Sequence, residues 1–531
     1  MARVAIVKLF TGLNLAPAQL SGDLLRAGHE SEIIYFKEYE THSYESSGSY
    51  KVPEFSGTVY SGDGDRVVWN CYKPFSEREF NMLIKALEEF KPDLIGFSLY
   101  SGIVEECEIV TQHIKEHFDV PVIWGGAGPT LEPERCISAA DILCINEGEE
   151  VIVELADRID RGEPLDDVAG TWFKRPDGSV IKHDNRPNVT LGDIAIPNWR
   201  LENYVQIGAK KLRGIRPSNL GRDYPIMTQR GCPFSCSFCI ESRYQEMFGK
   251  KDSLRRRSVD VVLEELRWAK DNIQIETVLF YDDVFTVNRR WLQEFLPRYK
   301  EEIGLPFWCY TYPTTHTKEL LQLLKDSGCM SITMGVQSGS ERILREYYNR
   351  PTKIQRVIEA GREIVEVGLI GFFDLITINE FDTEEDLRAT FDFLTEFPKE
   401  MQCQGYGEMV GFPTYSYTRM SEENQQNLAD PNNLATSERL PKETYDYYHR
   451  LFRLTRTELP VEKIKEIGTS AEYRENLELI DAFLSEWKFS KFSAGPASIA
   501  PTSDMSAAEE DIANASMTPS ARTNQSVPAS S

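Results

Sequence analysis

No stretch of these 531 residues approaches the roughly 20 consecutive apolar side chains that a membrane-spanning helix needs. The first apolar segment, residues 2–10, carries Arg3 and Lys8, so it does not have the form of an export signal, and a cytoplasmic location is expected. Positive charge is scarce as well: 59 Lys and Arg stand against 84 Asp and Glu, a net charge of -25. Neutralising a phosphate backbone takes clustered Lys and Arg, so a general nucleic-acid binder is excluded. The one basic run, Arg255-Arg256-Arg257, reads either as a solvated loop before a helix or as a place where one arginine faces the anionic end of a ligand. Ten cysteines are too dilute for the disulfide framework of a small secreted protein, and a reducing compartment is expected. There is no solenoid-type repeat. With 41% apolar residues, the length suffices for two or three domains with substantial cores.

Three of the cysteines are concentrated. Cys232, Cys236 and Cys239 fit CxxxCxxC, a spacing that lets one short loop wrap three thiolates around a single metal centre. Thiolates select iron-sulfur clusters, zinc or Cu(I), and three on one loop leave one iron of a cubane open to a non-protein ligand. A closed zinc site needs a fourth ligand, and between Met227 and Asp283 there is no further Cys and no His. Thiols that merely pack as small apolar groups are the remaining reading.

Around the motif, strand-like and helix-like runs alternate. In residues 1–150, strands are expected at 2–9, 31–36, 93–99 and 120–124, with helices at 16–28, 77–90 (Ser76 as N-cap) and 105–117 between them, which argues for a parallel sheet covered on both faces. In such a sheet the loops leaving the carboxyl ends of the strands form the ligand crevice. Ser98 ends one of these strands and Gly125-Gly126 ends the next, although glycine after a strand is also ordinary turn chemistry. Residues 151–220 read as a connecting segment with a helix and a hairpin around 172–181. From 221 to 420 a second series predicts strands near 225–228, 277–281, 307–312, 331–336, 371–378 and 404–409, which is a partial (β/α)6 TIM-type barrel with its site at the carboxyl ends of the strands. The cysteine motif directly follows the first of these. Residues 421–490 read as a small acidic helical domain, and 491–531 as a disordered tail, being poor in large apolar side chains.

Two later strand ends carry candidate ligands. Asp282 and Asp283 end the second barrel strand, either as contacts to a cofactor or as an N-cap of the next helix. Gln337, Ser338 and Ser340 lie in Gly-Val-Gln-Ser-Gly-Ser at the end of the fourth. Tyr310, Tyr312, His316, Tyr406, Glu408 and Tyr415 fall near other strand ends, as core residues or substrate contacts.

On these residues the chain resembles the radical SAM superfamily, in its class with an N-terminal cobalamin-binding domain. The resemblance implies a 4Fe-4S cluster on Cys232, Cys236 and Cys239, with S-adenosylmethionine on the open iron. It also implies Phe238 beside the adenine, Asp282 or Asp283 near the methionine amino group, and Gln337, Ser338 and Ser340 near the ribose and carboxylate, although glutamate is more frequent at the place of Gln337. Ser98 and Gly125-Gly126 resemble two signatures of cobalamin domains, and Asn146-Glu147-Gly148-Glu149-Glu150 resembles the segment that often closes them. The DxHxxG that gives cobalt a histidine is absent: that loop reads Thr11-Gly12-Leu13-Asn14-Leu15-Ala16, and His29 is expected at the surface. The implied activity is methylation of an unactivated carbon by way of methylcobalamin. The alternatives are a cyclisation, rearrangement or oxidation without methyl transfer, or a non-catalytic cobalamin or iron-sulfur sensor. A small-molecule, lipid or peptide substrate and an electron donor such as flavodoxin or ferredoxin would be the partners.

Overall fold

The structure is a computed structural model. It describes residues 1–10, 15–43, 58–60, 66–208, 210–213, 222–376, 381–403, 407–408 and 440–486. The loop 11–14, Tyr406, Tyr415 and the expected tail lie outside the described residues, as does the side chain of Glu408.

The N-terminal strands are β1 (Arg3–Leu9), β2 (Glu30–Phe36), β3 (Leu94–Ser98), β4 (Val122–Gly125) and β5 (Ile142–Cys144). They stand in the order β5-β4-β3-β1-β2, all parallel. This is a doubly wound sheet, and β1 and β3 flank the point where the strand order reverses. Alternate residues of β1 supply opposite faces: Ala5 and Val7 pack towards Leu83, Leu87 and Val110, whereas Val4 and Ile6 pack towards Leu24, Ile152 and Leu155. Ser76 caps the helix Glu77–Phe90 in a capping box with Glu79.

The segment expected to connect the domains belongs largely to this sheet. Strands β6 (Thr171–Lys174) and β7 (Val180–Lys182) extend one edge, and β8 (Tyr204–Ile207) and β9 (Lys211–Arg213) extend the other, which makes nine strands. His29 is buried, not at the surface: its Nδ1 accepts from Ala2 N–H at 3.3 Å and its Nε2 lies 3.1 Å from Asp157.

The second series forms β10 (Asp223–Ile226), β11 (Thr277–Phe280), β12 (Phe307–Thr311), β13 (Cys329–Gln337), β14 (Ile370–Leu375) and β15 (Gln402–Cys403), parallel and in sequential order. Ser258, Asn288, Thr317 and Thr383 cap the helices that cover them. Val278, Phe280, Cys309, Ile332, Met334 and Phe373 point at those helices. Their neighbours Trp308, Tyr310, Thr333 and Asp374 therefore face the barrel interior. Ile33, Tyr35, Trp199 and Tyr204 join the same apolar core, so the two domains share packing. The C-terminal helix Lys442–Leu454 adds Tyr448, Leu451 and Phe452 to it as well, against Phe391 and Leu394. No helix among the described residues is long and apolar enough to cross a membrane.

Candidate active site

The cysteine loop leaves the carboxyl end of β10 and leads into the helix Ile240–Phe248. Its backbone is held from several sides. Gln245 Nε2 donates to the carbonyls of Cys232 (2.6 Å) and Phe234 (2.8 Å), and Asn349 Nδ2 donates to that of Ser235 (2.7 Å). Ser237 N–H donates to the Tyr348 carbonyl at 3.2 Å. Cys236 is buried and Cys232 and Cys239 are half-buried; all ten cysteines of the chain are free thiols. Burial pushes the Cys232 thiol up to about 12, so metal loading must displace protons. No three His, Cys, Asp or Glu side chains among the described residues are gathered as ligands of a single ion would be. A cubane spreads its thiolates over three separate irons, and three cysteines on one braced loop fit that donor set.

Arg350 reaches the loop from the segment after β13. Its Nη1 lies 3.7 Å from Cys236 Sγ, its Nη2 donates to the Gly335 carbonyl at 2.7 Å, and its guanidinium sits 4.3 Å from the ring centre of Tyr312. Tyr312 stacks on Phe234 at 4.0 Å and its hydroxyl lies 2.8 Å from that of Thr352. Nothing in the local sequence marks Arg350 for this place; it arrives there through the turn that follows β13.

The structure separates the paired carboxylates. Asp282 is fully buried and accepts from Thr228 N–H (2.6 Å), Gln229 N–H (2.9 Å) and the Thr228 hydroxyl at 2.5 Å. It holds the backbone that launches the cysteine loop and caps no helix. Asp283 is exposed and lies within electrostatic range of Cys232, Cys239 and Glu241. Desolvation pushes both Asp283 and Glu241 up; repulsion from Asp282 adds to it at Asp283, and repulsion from Asp283 adds to it at Glu241.

Of the expected ribose contacts, Gln337 has a left-handed backbone (φ 74°) at a β-bulge beside Gly335. Ser340 instead donates to Asp386 (2.6 Å), and Ser338 accepts from Ser340 N–H (3.1 Å), so both serve the turn. Phe238 packs edge-on to Tyr348 at 5.2 Å. His316 is buried against the Thr311 hydroxyl at 2.8 Å, away from solvent.

Beside the loop, lined by Gly231 and Glu241 on either side of the cysteine motif, lies a cavity of about 360 Å³. Gly96, Ser98, Gly125 and Gly126 line it from the carboxyl edge of the first sheet, and Met227, Arg230, Gly231 and Glu241 from the barrel. At Gly125 an added Cβ would meet only the Cys144 Cβ, at 3.5 Å, so glycine keeps this wall open. Gly126 has a different duty: at φ 101° its added Cβ would lie 2.6 Å from the Leu99 carbonyl oxygen, and it lets two loops touch. An apolar-walled cleft at a strand-order reversal fits a large flat cofactor such as cobalamin.

The basic run is not a solvated loop. Arg255 pairs with Glu147 at 2.5 Å, Arg256 donates to Gln229 (2.7 Å) and lies over Trp291, and Arg257 pairs with Glu265 at 2.5 Å. All three are absorbed by protein acids and amides.

Residues 226–394 match the radical SAM superfamily, and residues 74–156 match the B12 binding domain. The chain thus contains a radical SAM domain and a B12-binding domain. It is similar to an uncharacterised methyltransferase of Pyrococcus horikoshii, 28% identical over 349 residues, which are 65% of this chain and 72% of that protein. It is also similar to cytidylyl-2-hydroxyethylphosphonate methyltransferase of Streptomyces wedmorensis, 25% identical over 59% of this chain and 64% of that one, less than two thirds of its length. The fold is shared with the radical S-adenosylmethionine methyltransferase TsrM of Kitasatospora setae, solved with cobalamin and a 4Fe-4S cluster. The TM-score there is 0.58 at 16% identity, over 80% of this chain and 78% of that one. The doubly wound sheet followed by a radical SAM barrel is thus a shared architecture.

Proposed function

We propose that this radical SAM protein is a cobalamin-dependent methyltransferase that acts on an unactivated carbon. The observation that carries the reading is the placement of CxxxCxxC at the end of β10, between Gly231 and Glu241, which line a cavity whose other wall is the strand-order reversal of a B12-type sheet. Bound at these places, the cluster with S-adenosylmethionine supplies radical chemistry and the cobalamin supplies a methyl carrier.

The residues of the chain bind, orient and exclude water. Cys232, Cys236 and Cys239 hold the cluster, with the Arg350 guanidinium in contact with Cys236 Sγ. Asp283 takes the methionine amino group, because Asp282 is fully buried and spent on Thr228 and Gln229. Gln337 lies at the ribose and Phe238 at the adenine. Ser98, Gly125 and Gly126 bound the cobalamin cavity. A low-potential one-electron donor of the flavodoxin or ferredoxin type, in a reducing cytoplasm, supports this chemistry.

Anaerobic reconstitution tests the reading. Cys236→Ala should lose iron loading and reductive cleavage of S-adenosylmethionine to deoxyadenosine while retaining cobalamin, because the ligands lie in different domains. A variant that still forms deoxyadenosine would remove the cysteine assignment. Product mass, one methyl heavier or not, separates methyl transfer from a cyclisation or oxidation.

A further inference from the structure

The loop that carries the cysteines is tied to the first domain by ion pairs that its fold does not need. Gln229 and Arg230 form a two-residue antiparallel ribbon with Arg255 and Arg256, just ahead of the first cysteine. From this ribbon, Arg230 Nη1 donates to Glu147 at 2.7 Å and Arg230 Nη2 to Glu149. Arg255 grips both oxygens of Glu147, at 2.5 and 3.0 Å, and Val189 N–H adds a further bond to that carboxylate at 2.8 Å. Glu147 lies between β5 and the helix Glu149–Arg161, which Glu149 opens, and Asn146 takes a left-handed backbone (φ 75°) to set the turn. Both carboxylates are largely withdrawn from water, with side-chain exposures of 12% and 8%.

Pairs with so little solvent cost desolvation and tolerate little misalignment, so their best-attested use is to set a register. The domains already share an apolar core through Ile33, Tyr35, Trp199 and Tyr204, and adhesion does not require these charges. The pairs also transmit position. Gly231, the one residue between Arg230 and Cys232, sits at φ 83°, and a Cβ on it would fall 2.3 Å from the Ser253 carbonyl oxygen. The Gly231 carbonyl accepts from Gln229 Nε2 at 2.9 Å, and the Cys232 carbonyl is held by Gln245. No slack separates the guanidinium from the first thiol.

Resting on the function proposed above, we infer that Arg230 is a positioning residue: braced on Glu147 and Glu149, it sets the distance between the cluster on the cysteine loop and the cobalamin in the adjacent cavity. A methyl group and a substrate carbon react only when held at near contact, and about 1 Å of misplacement can cost about 100-fold in rate. A brace joining the two cofactor walls controls that quantity directly.

The reduced cluster and cob(II)alamin each carry an unpaired electron, so pulsed dipolar electron paramagnetic resonance on the holoenzyme reads their separation without a substrate. The wild type should give one narrow distance distribution. Among Arg230→Gln molecules that hold both cofactors the distribution should be shifted or at least twice as broad, with the melting temperature within a few degrees of wild type. The charge swap Arg230→Glu with Glu149→Arg should narrow it again. A fully loaded Arg230→Gln protein with the wild-type distribution overturns the inference. Hydrogen exchange on the same preparations gives a second reading: amides of residues 229–239 and 145–149 should lose protection together, and unchanged protection there also overturns it. If the wild type takes up no cobalamin or no iron, the proposed function fails, while hydrogen exchange still reads the brace.

Discussion

At the scale of single residues, Lys8 carries a cost that packing alone would not select. Its ammonium is buried at the end of β1, donates to the Ser98 carbonyl at 3.1 Å, and is pushed down by burial from 10.5 to about 8. A folded pKa below the unfolded one means that the penalty is fully present below pH 8 and is relieved as pH rises from about 8 to 10.5. At about 1.4 kcal/mol per tenfold change in proton affinity, it amounts to about 3 kcal/mol. Lys8→Met should therefore raise stability at pH 7 by about 1 to 2 kcal/mol, after about 1 kcal/mol lost by leaving the Ser98 carbonyl unpaired. The advantage should shrink towards pH 10, and urea titrations at the two pH values measure it. No gain at pH 7 would show that the ammonium is not desolvated as the structure has it. The paired carboxylates also belong to this scale. Adjacent aspartates at a strand end are legible in sequence, but only the fold shows that Asp282 serves the backbone and Asp283 lies within electrostatic range of the thiols.

At the scale of elements, alternation made both sheets readable, because buried parallel strands leave apolar runs separated by capped helices. The capping box at Ser76 and Glu79 is a local pattern, and it forms as the sequence suggests. The hairpin at β6 and β7 was visible too, but its attachment to the edge of β5 was not, since pairing partners are chosen by exposed edges elsewhere in the chain. Turn glycines behave similarly: Gly125 and Gly126 look equivalent in sequence and do opposite things. Gly126→Ala should cost about 2 kcal/mol or more through positive-φ strain and contact with the Leu99 carbonyl. It should weaken cobalamin retention and leave iron content intact, which a denaturant titration with parallel cobalt and iron analysis would show. Equal loss of both metals would place the damage beyond that loop.

At the scale of the molecule, the domains and the C-terminal helices behave as one packed body. Leu451 is fully buried in the core that also contains Phe391 and Leu394 of the barrel. Leu451→Ala should thus cost about 2 to 5 kcal/mol and lower the melting of the barrel itself, not of a detachable appendage. A calorimetric trace in which a small early transition moves while the main one stays would contradict this. The Glu147 contacts supply the acid limb of the same argument. Burial alone would raise that carboxyl, but Arg255 and Arg230 hold it below the ordinary range, so its contribution persists above that range and disappears only as pH falls through the depressed value. Cofactor-wall contacts should loosen there, before the apolar core opens, as an early gain of hydrogen exchange at residues 145–149.

The amino-acid order alone determined the cysteine spacing of the loop after β10, the two parallel sheets and the sign of the net charge, because each depends on spacing within a few residues or on composition. Tertiary structure alone decided which acids are spent on the backbone, that Arg350 lies beside Cys236, and that Arg230 meets Glu147 across 83 residues of chain. Those outcomes turn on where distant side chains arrive once the strands have paired and the cores have closed, and no local pattern encodes an arrival.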